Sequence, residues 1–155
     1  MTATDTLIAR NTAFVDRADG VDLPLLPKHP VLVVSCSDAR TDPAHFLDLA
    51  PGDALVIRSI GGRVTPGVLE EIVWFQAMAA VASGTSPSVE VMVVHHTDCG
   101  TTRLVDPGVR ELLGGATSTD PDRLAEIAIS SPTESVRADI ALVREDPRLP
   151  DGLLV

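Results

Sequence analysis

Three short, nearly continuous apolar segments constrain the fold of this chain more than any other feature of its sequence. They are Val31–Cys36, Ala54–Ser59 and Val89–His96, each rich in valine or isoleucine. Such segments are typical of strands covered on both faces of a parallel sheet, whereas half-exposed strands alternate apolar and polar residues. We therefore predict a central, mostly parallel β-sheet.

Helices are predicted between and after these strands from the residues that begin them. Asp, Ser or Thr can cap the first turn of a helix, and a following proline fits its first position. Such pairs occur at Asp42-Pro43, Thr65-Pro66, Asp106-Pro107, Asp120-Pro121 and Ser131-Pro132. Apolar residues at helical spacing predict a further helix over residues 4–18, and we expect loops over 19–30 and 114–120.

The alternation of strands and helices predicts an α/β fold in which helices flank the sheet. The chain has 155 residues, which is enough for one compact domain, so we expect a single domain over residues 1–155. The N-terminal helix precedes a loop rich in proline. It could pack either on its own domain or on a partner subunit.

Charge and hydrophobicity argue against several classes of function. The formal net charge of −10 opposes binding to nucleic acid or to an anionic membrane surface. No segment approaches the roughly 20 apolar residues of a membrane span, and the N-terminus lacks the apolar run of a signal peptide. We therefore expect a cytoplasmic protein that binds neither nucleic acid nor membranes.

The two cysteines and one histidine lie where predicted strands end. Cys36 ends the first strand, His96 ends the third, and Cys99 follows in the adjoining loop. Ligands of open α/β sheets bind at the carboxyl ends of strands, so these side chains converge if the two strands are neighbours. Two thiolates and an imidazole suit Zn²⁺, and three protein ligands leave one position for catalysis. The alternative is a core histidine with two buried, inert cysteines.

Charged residues beside Cys36 strengthen the catalytic interpretation. Asp38 could close a fourth zinc position or accept a proton there, and Arg40 could orient it through a bidentate pair. An ordinary surface ion pair is the other interpretation. A cysteine phosphatase would need arginine six residues after Cys36, where this chain has Asp42.

His95 and His96 are adjacent on a predicted strand, so their side chains should point to opposite faces. Only one can then be a ligand, and we choose His96 because the following loop returns to Cys99. His95 is expected to be a hydrogen-bonded residue of the core or of the surroundings of the site. A Cys-His hydrolase with either histidine as the base remains possible.

Two motifs together resemble the signature pair of β-class carbonic anhydrases. They are Cys36-Ser-Asp-Ala-Arg40 and His95-His-Thr-Asp-Cys-Gly100. The resemblance implies that Cys36, His96 and Cys99 bind zinc. It also implies that Asp38 either coordinates the zinc in a closed form or pairs with Arg40 in an open one. The implied reaction is the reversible hydration of carbon dioxide to bicarbonate and a proton, and the implied assembly is a homodimer or a larger homo-oligomer.

The same resemblance exposes departures from the family pattern. The loop Ser59-Ile60-Gly61-Gly62, which would line the substrate pocket, has Ser-Ile where the family commonly has Asn-Ala. A final strand of the family has only its beginning in this chain, so we expect the last edge strand to be absent or truncated. These departures keep two alternatives open: a related zinc hydrolase of carbon disulfide or carbonyl sulfide, and a non-catalytic zinc-binding homologue.

Overall fold

The central sheet is parallel, as predicted. A computed structural model describes residues 1–17, 22–84 and 89–155. Its strands are β1 (Val31–Cys36), β2 (Leu55–Ser59) and β3 (Glu90–Val93), in the spatial order β2-β1-β3. In this order, β1 pairs in parallel with both neighbours.

The strands differ in how far they are covered. In the central strand β1, residues 32–36 are all buried, as a continuous apolar segment predicts. In the flanking strands, Val56 and Met92 are each 42% exposed. Among the described strands, the expectation of cover on both faces therefore holds for β1 alone.

Helices begin where the proline pairs predicted. The helices are α1 (Ala3–Val15), α2 (Pro43–Phe46), α3 (Pro66–Ser83), α4 (Pro107–Thr117), α5 (Pro121–Glu126) and α6 (Pro132–Glu145). The residue before each proline accepts a hydrogen bond from a backbone amide of the first turn through its side chain. The helix predicted over 4–18 ends at Val15, and its residue 18 lies outside the described residues.

Two boundaries were predicted wrongly. Helix α4 continues to Thr117, so most of the loop expected over 114–120 is helical. The next residue, Ser118, caps the helix with a left-handed φ of 54°. Strand β3 ends at Val93 and not at His96, which places both histidines in the following loop. Residues 18–21 of the other expected loop, 19–30, lie outside the described residues. Two unpredicted 3₁₀ turns cover Ile60–Gly62 and Gly100–Val105.

A large apolar cluster joins the sheet to the helices. Leu32, Val34 and Ile57 of the sheet pack with Ile72 of α3 and Val143 of α6. A smaller buried cluster lies at the carboxyl end of β1 and contains Cys36, Cys99 and Ile129. None of the described helices combines the length and the apolar character that crossing a bilayer requires.

Candidate metal centre

Cys36, His96 and Cys99 come together at the carboxyl end of β1. One ligand atom from each side chain lies within 4.8 Å of the others, and the two sulfur atoms are 3.9 Å apart. Cys36 is the last residue of β1, and the loop after β3 carries the other two. The predicted convergence is confirmed, because β1 and β3 are neighbours in the sheet.

The donor set fits a zinc ion. Two Zn–S bonds of about 2.3 Å at a tetrahedral angle would separate the sulfurs by about 3.8 Å, close to the distance between Cys36 and Cys99. The buried Nε2 of His96 has no hydrogen-bond partner among the described residues. Such an atom is costly to bury unless something binds it, and a metal ion would do so. Both cysteines are free thiols.

Hydrogen bonds surround the two sulfurs. The amide of Asp38 donates to Cys36 Sγ over 3.4 Å, and the Thr101 hydroxyl lies 3.1 Å from Cys99 Sγ. Burial raises the pKa of the Cys36 thiol, and the neighbouring Cys99 adds to this, although the amides of Asp38 and Gly61 oppose it. A cation at the cluster would reverse the balance, since a thiol that coordinates a metal is deprotonated.

Asp38 is paired with Arg40 and does not belong to the ligand cluster. The guanidinium donates to both carboxylate oxygens, over 2.9 Å from Nε and 2.7 Å from Nη2, and the Arg40 amide adds a third bond. These hydrogen bonds from Arg40 hold the pKa of Asp38 well below its usual range. Asp38 is therefore ionised at neutral pH. The arrangement corresponds to the open form that the resemblance described.

Two further residues, which the sequence analysis missed, hold this pair in place. Asp98, between the predicted ligands, accepts from Arg40 Nη1 over 2.7 Å. Arg58, at the end of β2, donates to the backbone carbonyls of Cys36 and Asp38 over 3.1 and 2.6 Å. The position of Asp98 inside the second motif was a signal that could have identified it, because its neighbours were already assigned to the site.

The predicted pocket loop divides into two parts. Gly61 and Gly62 are buried, and Gly62 approaches the backbone of Cys36. Ser59 donates a hydrogen bond to the carbonyl of Arg63, while Ile60 is 60% exposed. The loop thus touches the metal-binding cluster through its glycines, and the Ile60 side chain largely faces outward in the single chain.

His95 lies outside the cluster, in a buried ionic network, and it is hydrogen-bonded as predicted. Its Nε2 lies 3.1 Å from Asp139 Oδ2 and 3.2 Å from the carbonyl oxygen of Gly62. Asp139, on α6, also accepts two hydrogen bonds from Arg63, over 2.8 and 2.9 Å. The sequence analysis assigned no role to Asp139 or Arg63. The one available signal was a carboxylate on the apolar face of α6.

The site and the sheet that carries it are those of a known family. A sequence model described as carbonic anhydrase matches residues 31–130, which include both motifs. The β-carbonic anhydrase 1 of Mycobacterium tuberculosis is 32% identical over 149 residues, covering 95% of this chain and 85% of that protein. This chain belongs to the β-carbonic anhydrase family. The match favours the metal centre over a Cys-His hydrolase, and it agrees with the predicted enzyme class.

Solved structures of carbonic anhydrases share the fold. The enzyme from Streptococcus mutans superimposes with a TM-score of 0.81 at 35% identity, covering 99% of this chain and 89% of that one. The enzyme from Glaciozyma antarctica gives a TM-score of 0.68 at 30% identity, covering 92% and 82%. The predicted fold class, a parallel sheet flanked by helices with an additional N-terminal helix, is confirmed.

Proposed function

We propose that this β-carbonic anhydrase catalyses the zinc-dependent, reversible hydration of carbon dioxide to bicarbonate and a proton. One observation supports this most directly: Cys36, His96 and Cys99 form a three-ligand cluster while Arg40 holds Asp38 apart from it. Three protein ligands with a free fourth position are the pattern of catalytic zinc, whereas structural zinc has four.

Each residue of the centre has a distinct task in this proposal. Cys36, His96 and Cys99 would hold the ion. When bound there, zinc would supply the Lewis acidity that lowers the pKa of a water molecule to about 7. Asp38, ionised and oriented by Arg40, offers a negatively charged oxygen that can accept a hydrogen bond beside the cluster.

The proposal predicts different consequences for two substitutions. Cys36→Ala should abolish stoichiometric zinc binding, because one of three ligands is lost. Asp38→Asn should keep zinc bound yet lower kcat by about 10²-fold, the usual contribution of one oriented hydrogen-bonding group in an active site. Metal analysis and stopped-flow measurement of proton release from carbon dioxide at pH 7 to 8.5 would check both.

Asp146→Asn provides a matched control. Asp146 forms the same kind of bidentate pair, with Arg148. The substitution therefore removes an arginine-bound carboxylate outside the described metal-binding cluster, and it should change neither zinc content nor kcat. A zinc-loaded wild-type protein with no rate above that of the buffer would contradict the proposed function. Sulfide release from carbon disulfide or carbonyl sulfide by the same sample would indicate the alternative hydrolase.

We further propose a homodimer in which α1 packs on the partner subunit. None of the residues of α1 is buried in the single chain. Its apolar side chains remain largely exposed: Leu7 60%, Ile8 60%, Phe14 54% and Val15 61%. A helix of 13 residues is marginal in water unless an apolar face packs against something. A second copy of this chain would supply that surface.

A cytoplasmic location is part of the same proposal. The site requires Cys36 and Cys99 in the reduced form, and a reducing compartment prevents their oxidation to a disulfide.

A further inference from the structure

Asp139 is fully buried on α6, yet it is a carboxylate with four hydrogen-bond donors around it. Arg63 supplies two of them, the amide of Val64 supplies a third over 3.2 Å, and the ring of His95 supplies the fourth. The solvent-exposed fraction of Asp139 is 0%. A buried charge is tolerated when it is paired and fully hydrogen-bonded, and these donors meet that condition.

The His95 ring has a defined orientation as a result. Both atoms facing its Nε2, the Asp139 carboxylate and the carbonyl oxygen of Gly62, are acceptors. Nε2 must therefore carry the hydrogen and donate it. The side chain of His95 is 2% exposed, and its other nitrogen has no partner among the described residues. The ring is thus anchored through one edge, immediately before His96 in the chain.

The ion pair also organises the opposite side of the cluster. Arg63 donates to the carbonyl oxygens of Glu126 and Ala128 over 3.0 and 3.1 Å. The next residue, Ile129, is fully buried with Cys36 and Cys99. The Asp139–Arg63 pair is therefore connected to the chain at two places beside the ligand cluster. One is next to His96, and the other is next to Ile129, which packs with both cysteines.

We infer that Asp139 is a positioning residue of the metal centre, which acts through His95 and Arg63 to hold the ligand geometry and retain the ion. It touches neither the ligands nor a substrate, and its effect is transmitted through the backbone at residues 95–96 and 128–129. Residues that orient metal ligands typically change metal affinity by 10- to 100-fold when they are substituted. This inference rests on the proposed function only insofar as the cluster binds zinc.

The release of zinc to a chromophoric chelator, measured without carbon dioxide, tests the inference. Asp139→Asn should accelerate zinc release by about 10-fold or more. Val143→Ala is the matched control, because Val143 lies one turn further along α6, is fully buried and belongs to the main apolar cluster. It should destabilise the fold without accelerating release. Equal acceleration in both variants, or none in Asp139→Asn, would overturn the positioning role.

Two substitutions of His95 keep the test decisive if Asp139→Asn does not fold. His95→Gln keeps an N–H near the position of Nε2, so zinc release should stay slow, as in the wild type. His95→Leu removes the donor and should accelerate release. Equal rates in the two variants would contradict the transmission through His95. A wild-type protein that binds no zinc would overturn the proposed function itself. Normal zinc binding with unchanged release in every variant would overturn only the role of Asp139.

Discussion

At the scale of single residues, Gly62 determines how closely the pocket loop approaches the ligand-bearing strand ends. Its φ of 71° is left-handed, a conformation that residues with a Cβ rarely adopt. A Cβ added there would lie 2.8 Å from the carbonyl oxygen of Val94 and 3.0 Å from the amide nitrogen of Cys36. Both are backbone atoms, so the contact cannot be relieved by a change of side-chain rotamer.

A left-handed conformation alone costs a residue with a Cβ about 1–2 kcal/mol. Gly62→Ala should therefore lower the free energy of unfolding by more than this. Gly152→Ala is the matched control, since Gly152 has a φ of 75° and no described atom within 4 Å of an added Cβ. We expect the control to lose about 1 kcal/mol of unfolding free energy and Gly62→Ala to lose at least twice as much. Gly62→Ala should also bind zinc more weakly. Chemical denaturation and metal analysis would check both, and equal losses of stability would contradict the proposed close packing.

At the scale of secondary-structure elements, Gln76 joins α3 to the start of β3. Its side-chain amide donates to the carbonyl oxygen of Val89, and its carbonyl oxygen accepts from the Val89 amide. Gln76 and Val89 are both buried, so neither backbone group has water as an alternative partner. The hydrogen bonds between this side chain and the backbone thus fix the helix against the strand that leads to His96.

Replacement of Gln76 by leucine should destabilise the fold by about 2–6 kcal/mol, because two buried backbone groups lose their partners at about 1–3 kcal/mol each. Gln76→Glu keeps an acceptor for the Val89 amide but, when ionised, no donor for the Val89 carbonyl. It should also be destabilised, since a charge is then buried. Urea denaturation would measure both. A Gln76→Leu protein as stable as the wild type would show that the pair does not hold α3 to β3.

At the scale of the whole molecule, the exposed apolar face of α1 makes stability depend on assembly. If α1 packs on a second subunit, association stabilises the folded chains and not the unfolded ones. The melting temperature must then rise with protein concentration. Phe14→Asp should weaken this association, because it places a charge in an apolar contact. Ala9→Asp is the control, because it places the same charge on the opposite side of the helix.

Sedimentation velocity over a dilution series would measure the expected shift. We expect Phe14→Asp to dissociate at concentrations where the wild type and Ala9→Asp remain dimeric. A wild-type monomer at every concentration, with a melting temperature that does not change on dilution, would contradict the assembly.

The sequence by itself determined those parts of the protein that depend on short-range interactions. The continuous apolar segment of β1 and the capped prolines of α3 and α6 were correctly located, because strand burial and helix capping involve residues within about four positions of one another. The convergence of Cys36 and His96 was predicted on the condition that their strands are neighbours. The strand order β2-β1-β3 meets that condition. The fold class was therefore predictable, and so was the proximity of Cys36, His96 and Cys99 once those strands were assumed to be neighbours.

The tertiary structure alone decided the contacts between distant segments. Asp139 meets Arg63 across 76 positions of the sequence and His95 across 44, and no local pattern specifies such pairs. Likewise, the sequence allowed Asp38 either to coordinate zinc or to pair with Arg40, because both arrangements use the same residues. The structure contains the pair, with Asp98 binding the same guanidinium. The contact with Asp98, 58 positions away, favours the pair, since it fixes the guanidinium from which Asp38 accepts its hydrogen bonds.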